Sequence, residues 1–176
     1  MKKYLAGFTT GLLLLGMIGI AGADSINLNT WTAESYPAVS GFGAGSWNVN
    51  AGGTAVYQSV NGQPTLFYSD FNAYGTRTKG TIRVTNDGDE DYIGFALGFQ
   101  PNGTTNSAAN YLLVDWKKAT QPFDFGALSS TPGTTAYVGL AVSRVTGFPT
   151  ADEFWGHTDF TEDTSGGLQE LARAIT

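Results

Sequence analysis

The chain has no cysteine and a single histidine, His157, among its 176 residues. The first absence removes disulfides, thiolate metal ligands, a cysteine nucleophile and a cysteine-borne lipid anchor. The second removes multi-histidine metal centres. Charge is also scarce, at 14% of residues against roughly 25% in an average domain. Basic residues are fewer than acidic ones, 9 against 15, for a formal charge of −6. Phosphate backbones are held by clustered Lys and Arg, so no nucleic-acid partner is expected. What the chain does have is 41% hydrophobic residues, 13% aromatics and 24 glycines. That content is too apolar for a disordered chain, and the length suits one domain.

Long apolar runs are absent except at the N-terminus. Lys2 and Lys3 precede a run from Leu5 to Ile20, and Ala21-Gly22-Ala23 follows. A basic start, an apolar stretch and a small-residue cleavage site are the marks of a secretory signal peptide. The run falls short of the roughly 20 residues a membrane span needs. The expected organisation is a signal peptide at 1–23 and one domain at 24–176. Removal of Lys2 and Lys3 leaves 7 basic residues against 15 acidic, a charge of −8. No membrane anchor is expected in the mature chain. Export without cysteine suggests a bacterial protein secreted through the Sec pathway, extracellular or at the cell surface.

The body reads as all-β. In residues 92–99 the large apolar Ile93, Phe95, Leu97 and Phe99 alternate with Gly94, Ala96 and Gly98. This period of two predicts a strand with the large face toward a core. In residues 111–118, Leu112, Val114 and Trp116 oppose Tyr111, Leu113 and Asp115; in 137–144, Val138, Leu140 and Val142 oppose Gly139, Ala141 and Ser143. Shorter strand candidates lie at 55–59, 66–69 and 81–84, and Gly41 to Gly53 reads as an ordered loop. Turn signals at Asn61-Gly62, residues 86–89, Pro101-Asn102-Gly103 and Thr131-Pro132-Gly133 separate these runs. Two helical stretches are predicted: a capping box at Thr150-Ala151-Asp152-Glu153 and a run of good helix formers from Leu168 to Arg173. Many short strands favour a sandwich of antiparallel sheets.

Few residues can carry chemistry. Asp87, Asp89, Glu90 and Asp91 place four carboxylates in five positions. Their mutual repulsion is relieved by solvent or by a cation. Asp87, Asp89 and Asp91 can converge from a turn at Gly88 as calcium ligands, since calcium takes six to eight oxygens; the plain alternative is a solvated turn. Asp115 lies mid-strand, where a buried carboxylate needs a partner. The expected arrangement is an outward Asp115 paired with Arg83 or Arg144; a ligand-binding role is the alternative. His157 stands beside Asp159, but no Gly-x-Ser-x-Gly nucleophile elbow is present. A structural histidine is expected, and no catalytic residue is assigned. A glycosidase needs facing carboxylates, and the Glu-x-Asp-x-Glu strand of laminarinase-like jelly rolls is absent. Exposed aromatics can still stack on sugar rings.

The block from Asn86 to Gln100, an acidic run followed by Tyr92-Ile93-Gly94-Phe95 and Gly98-Phe99-Gln100, resembles the thrombospondin C-terminal domain. Tyr111 to Lys118 resembles that family's apolar strand ending in Trp-Lys, and Trp155-Gly156-His157-Thr158 its Trp-His-Thr element. Trp47-Asn48-Val49, residues 57–61 and 68–72 fall upstream in the family's order. The resemblance implies a concanavalin-like (L-type lectin-like) antiparallel β-sandwich, or jelly roll. It also implies calcium at Asp87, Asp89 and Asp91, and an extracellular adhesion or matrix role. Bacterial exported proteins with this domain often end in a Pro-Glu-Pro-type sorting signal. This chain departs from that pattern. It has no such signal and no type 3 calcium repeats, and it ends at Thr176, where the family continues through further strands.

The expectation is a secreted, non-enzymatic, calcium-binding module with an extracellular protein or glycan as partner. The alternatives are a lectin-like carbohydrate binder, a glycoside hydrolase, or a truncated fragment of a longer exported protein. A truncated fragment predicts sheet edges and apolar faces left uncovered.

Overall fold

The computed structural model describes residues 25–39, 41–69, 71–85, 88, 90–126, 134–159 and 167–175. The proposed signal peptide, residues 1–23, lies outside them. The described residues form ten strands, one short α-helix and a single 3-10 turn at Leu28–Thr30. Thr32–Ser35 (β1) pairs with Thr65–Tyr68 (β4), Trp47–Val49 (β2) with Val56–Gln58 (β3), and Gln121–Pro122 (β7) with Thr135–Ala136 (β8). The main sheet has the order β10-β9-β6-β5, formed by Leu168–Ala174, Gly139–Thr146, Asn110–Lys117 and Ile93–Leu97. Every pairing is antiparallel. This is the all-β, antiparallel class expected from the alternating pattern.

Strands form close to where period-two alternation marked them, at Val56–Gln58, Thr65–Tyr68, Ile93–Leu97, Asn110–Lys117 and Gly139–Thr146. The Gly41–Gly53 stretch is partly regular, holding β2 and a bridge between Val39 and Phe42. The predicted strand at 81–84 is irregular. The helix Ala151–Gly156 (α1) begins where its capping box stands. Thr150 Oγ1 accepts from the Glu153 amide at 3.3 Å, and Glu153 Oε2 accepts from the Thr150 amide at 2.6 Å. The predicted helix at 168–173 is instead β10. Its residues favour helices in isolation, but pairing with β9 satisfies its backbone and seals Leu168 in the core, and tertiary contacts override propensity.

The strand register corrects the predicted faces. Across the main sheet, one side carries the rows Ile93–Trp116–Leu140–Ala174, Phe95–Val114–Val142–Ala172 and Leu97–Leu112–Arg144–Gln169. The other carries Gly94–Asp115–Ala141–Arg173 and Ala96–Leu113–Ser143–Glu170. The second side is covered: Tyr111, Asp115, Lys117, Ala141, Ser143, Val145 and Leu168 are buried there. The side with the large aliphatic and aromatic residues faces solvent, and Phe95 is 58% and Leu97 57% exposed. The small residues face inward because bulky groups arrive from the opposite layer. Tyr36 and Phe154 complete a core with Tyr111, Val145 and Leu168, and Leu66 of β4, Ala96, Phe99 and Leu113 pack against it.

One distant clamp ties β1 to the turn after β5. Both oxygens of Glu34 accept there: from the Asn102 amide at 2.9 Å, the Thr104 amide at 2.8 Å and the Thr104 hydroxyl at 2.6 Å. The turn is built for it. Asn102 adopts φ 63°, a left-handed conformation that Asn tolerates. A side chain on Gly103 would strike the Phe99 ring. Burial pushes the Glu34 carboxyl up, but its hydrogen bonds with Thr104, Asn102 and Tyr68 outweigh this and hold it below the usual range.

Candidate functional site

Of the three candidate metal ligands, Asp87 and Asp89 lie outside the described residues. Asp91 is exposed two residues before the start of β5. Its neighbour Glu90 is anchored through the backbone, where the Lys117 ammonium donates to the Glu90 carbonyl. Among the described residues, no group of three or more His, Asp or Glu side chains is placed to hold a metal ion.

Below this turn lies a sealed polar centre. Asp115 is only 4% exposed, which corrects the expected outward pairing with Arg83 or Arg144. Arg144 turns to the opposite face and donates to Asn110 Oδ1 at 3.1 Å. The partner of Asp115 is His157, whose Nε2 lies 3.2 Å from Asp115 Oδ1. Its Nδ1 lies 2.5 Å from the Phe154 carbonyl oxygen. Both ring nitrogens therefore face acceptors, which the imidazolium with two N–H donors satisfies best. Burial alone pushes His157 toward the neutral form. The Asp115 charge and hydrogen bond, the Phe154 carbonyl and the nearby Glu170 reverse this and raise its pKa above 6.5.

The same layer holds a lysine. Lys117 is fully buried, with its ammonium 4.2 Å from the centre of the Trp155 ring and 5.2 Å from that of Tyr92. Gln121 Oε1 accepts from it at 3.3 Å. Two aromatic faces and two oxygen acceptors thus compensate its desolvation. Tyr92 also packs on His157 at 4.7 Å, and its hydroxyl lies 2.8 Å from Thr158 Oγ1. Arg173 donates from Nη1 to the Thr158 carbonyl at 2.7 Å, and its Nε stands 3.8 Å from Glu170 Oε1. Burial raises the Glu170 carboxyl, with Arg173 and His157 opposing.

This arrangement ties the molecule together rather than opening to a substrate. His157 and Asp115 are 1% and 4% exposed, so nothing can be brought to the imidazole without opening the fold. The backbone positions the pair. The His157 ring stands at the C-cap of α1, and a side chain on Gly156 would strike Thr134. A side chain on Gly94 would strike Asp115 and the Val114 carbonyl, so only glycine fits beside Asp115. Asp159, the sequence neighbour of His157, is buried but uses its amide to reach the Gly156 carbonyl at 2.8 Å.

Sequence reasoning passed over Lys117, Glu170 and Arg173. A signal for Lys117 was present: it shares the parity of Tyr111, Leu113 and Asp115 along β6. Once Asp115 is inside, Lys117 is inside too. Glu170 and Arg173 were hidden by reading their segment as helical.

Comparison with known proteins places these features in a family. The model of the thrombospondin C-terminal region matches residues 43–165, which include β2 to β9, α1, the acidic turn and the sealed pair. Zebrafish (Danio rerio) thrombospondin-3b is 32% identical over 80 residues, covering 44% of this chain and 8% of that protein. Bovine (Bos taurus) and human thrombospondin-2 are each 30% identical over 79 residues, covering 44% of this chain and 6% of theirs. The matches thus span less than a tenth of the length of these relatives. No solved structure matches the chain. With most of its residues matched by that family model, the chain belongs to the thrombospondin C-terminal family.

Proposed function

We propose that the chain is a secreted, calcium-stabilised binding module of the adhesion or extracellular-matrix type, without enzymatic activity. The observation that carries this reading is the acidic turn, with four carboxylates in residues 87–91, inside the stretch that matches the thrombospondin C-terminal region. Asp87, Asp89 and Asp91 would supply hard oxygen ligands, and a bound calcium ion would neutralise charges that otherwise repel. The buried Lys117 supports the reading by fixing the Glu90 carbonyl beside Asp91. The basic and apolar leader at 1–23 supports secretion, and the ligand would be an extracellular protein or glycan.

Calcium titrated into the chain in a calorimeter should release or absorb heat, and the melting temperature should fall on chelation. The Asp87→Asn, Asp89→Asn, Asp91→Asn triple variant should lose both responses. Absence of heat together with a chelator-insensitive melt would overturn the metal assignment.

A second reading, glycan binding, draws on an aromatic row. Trp31 lies 6.3 Å from Phe71 and 5.7 Å from Phe67, and Phe67 stacks on Trp47 at 5.4 Å. Phe71 is exposed, and the buried Trp31 Nε1 has no hydrogen-bond partner among the described residues. A glycan array probed with the chain tests it, and an array without a hit would rule it out.

A further inference from the structure

The least ordinary feature of the fold is the bare side of its main sheet. Phe95, Leu97, Leu112 and Leu140 all stand exposed on that side, with the half-buried Val114 and Val142 between them. They form contiguous cross-strand rows, because Phe95 pairs with Val114 and Val114 with Val142, while Leu97 pairs with Leu112. Beside these rows the segment at 82–84 adds exposed Ile82 and Val84, and a shallow apolar cleft of about 270 Å³ runs between it and β5–β6. Water therefore meets a broad apolar surface on the side of the sheet that faces away from the packed layer.

We propose that this face is an interface between two copies of the chain, packed sheet against sheet. Three observations point to a second copy as the occupant. The first is charge. The chain carries −6 with its leader and −8 without Lys2 and Lys3, so two copies repel. On the paired rows of this face the only charged side chain is Arg144, at the margin and turned to Asn110. Two like-charged chains can meet here over an almost uncharged surface, with Arg83 in the adjoining cleft. The second is shape. The three cross-strand rows carry mostly large side chains on one antiparallel sheet, and such a face can lie against a copy of itself across a two-fold axis at the roughly 10 Å spacing of packed sheets. The third is area. With 150–250 Å² for a whole large side chain, the exposed fractions leave on the order of 500 Å² open per copy, at the upper end for a monomer's largest patch. Two such faces bury on the order of 1,000 Å², the lower bound for a specific interface. The expected assembly is therefore a dimer that dissociates in the micromolar range.

The test uses the chain recovered from the exported fraction of cells expressing residues 1–176, followed by sedimentation equilibrium. The wild type should move from monomer to dimer as its concentration rises through the micromolar range. Phe95→Ser and Leu97→Lys should each weaken dimerisation at least ten-fold while keeping a cooperative melt. Tyr74→Ser, at a position 93% exposed and off this sheet, should leave it unchanged. Since the chain has no cysteine, Leu97→Cys provides an independent measurement: a short bismaleimide should yield a covalent dimer and no larger species. A monomer at every concentration would overturn the proposal. So would a dimer that Tyr74→Ser weakens as much as Phe95→Ser, an open-ended series of oligomers, or a Leu97→Cys chain that does not cross-link.

Discussion

His157 Nε2 reaches Asp115 Oδ1 at 3.2 Å across 42 residues of sequence, joining the end of α1 to the middle of β6 inside the fold. Because the folded imidazole keeps its proton above the ordinary 6.5, the pair's contribution is complete below that pH. It is lost as pH rises through the folded value. Glu170, raised by burial, slopes in the same direction over a window starting near 4.5. Thermal melts should therefore show the melting temperature declining on the alkaline side of pH 6.5. His157→Gln leaves the Asp115 charge buried without its counter-charge and should lower stability by about 3 kcal/mol at pH 6, with a flatter decline above it.

Glu34 acts in the opposite window. Its carboxyl is held below 4.5, so the clamp is intact above that pH and fails as pH falls through the folded value. Glu34→Gln keeps the shape but loses charge-assisted acceptance, and urea denaturation at pH 7 should register a loss of about 2 kcal/mol. Acid titration of the variant should lack the corresponding part of the wild-type drop.

Lys117→Met tests whether the buried ammonium matters beyond its packing. The variant fills similar space but forfeits the interaction with the Trp155 and Tyr92 rings and strands the Glu90 carbonyl. A loss of about 2 kcal/mol is expected, with a change in tryptophan emission because Trp155 loses the adjacent charge.

The capping box predicts coupling rather than simple addition. Thr150→Ala should lower stability by about 1 kcal/mol. The double variant with Glu153→Ala should lose less than the two single losses combined, because both side chains fix the same first turn and losing either lets that turn fray. Chemical denaturation of the four proteins measures the cycle.

Much of this fold was legible in the sequence. Alternation marked β5, β6 and β9, and Thr150-x-x-Glu153 marked the start of α1. What alternation does not encode is which side of a strand is covered. Phe95 and Leu97 looked like core, yet Tyr36 and Phe154 approach from the other layer, and only Ala96, Ala141 and Ser143 leave room for them. The partner of Asp115 was equally hidden, since Arg83 and Arg144 were the plausible cross-strand cations and His157 comes from a helix far along the chain. Among the candidate metal ligands, local crowding made the acidic turn stand out, but Asp87 and Asp89 lie outside the described residues.

The Glu34 clamp also bears on the order in which the molecule takes shape. Its acceptors meet donors 68 and 70 residues further along the chain. Such closures are slow relative to local turns. As the polypeptide is synthesised from its N-terminus, Glu34 waits without these donors until Thr104 has emerged. The first strand is thus a late arrival: it docks onto a turn assembled by residues made long after it, and a nascent chain shorter than that stays unclasped.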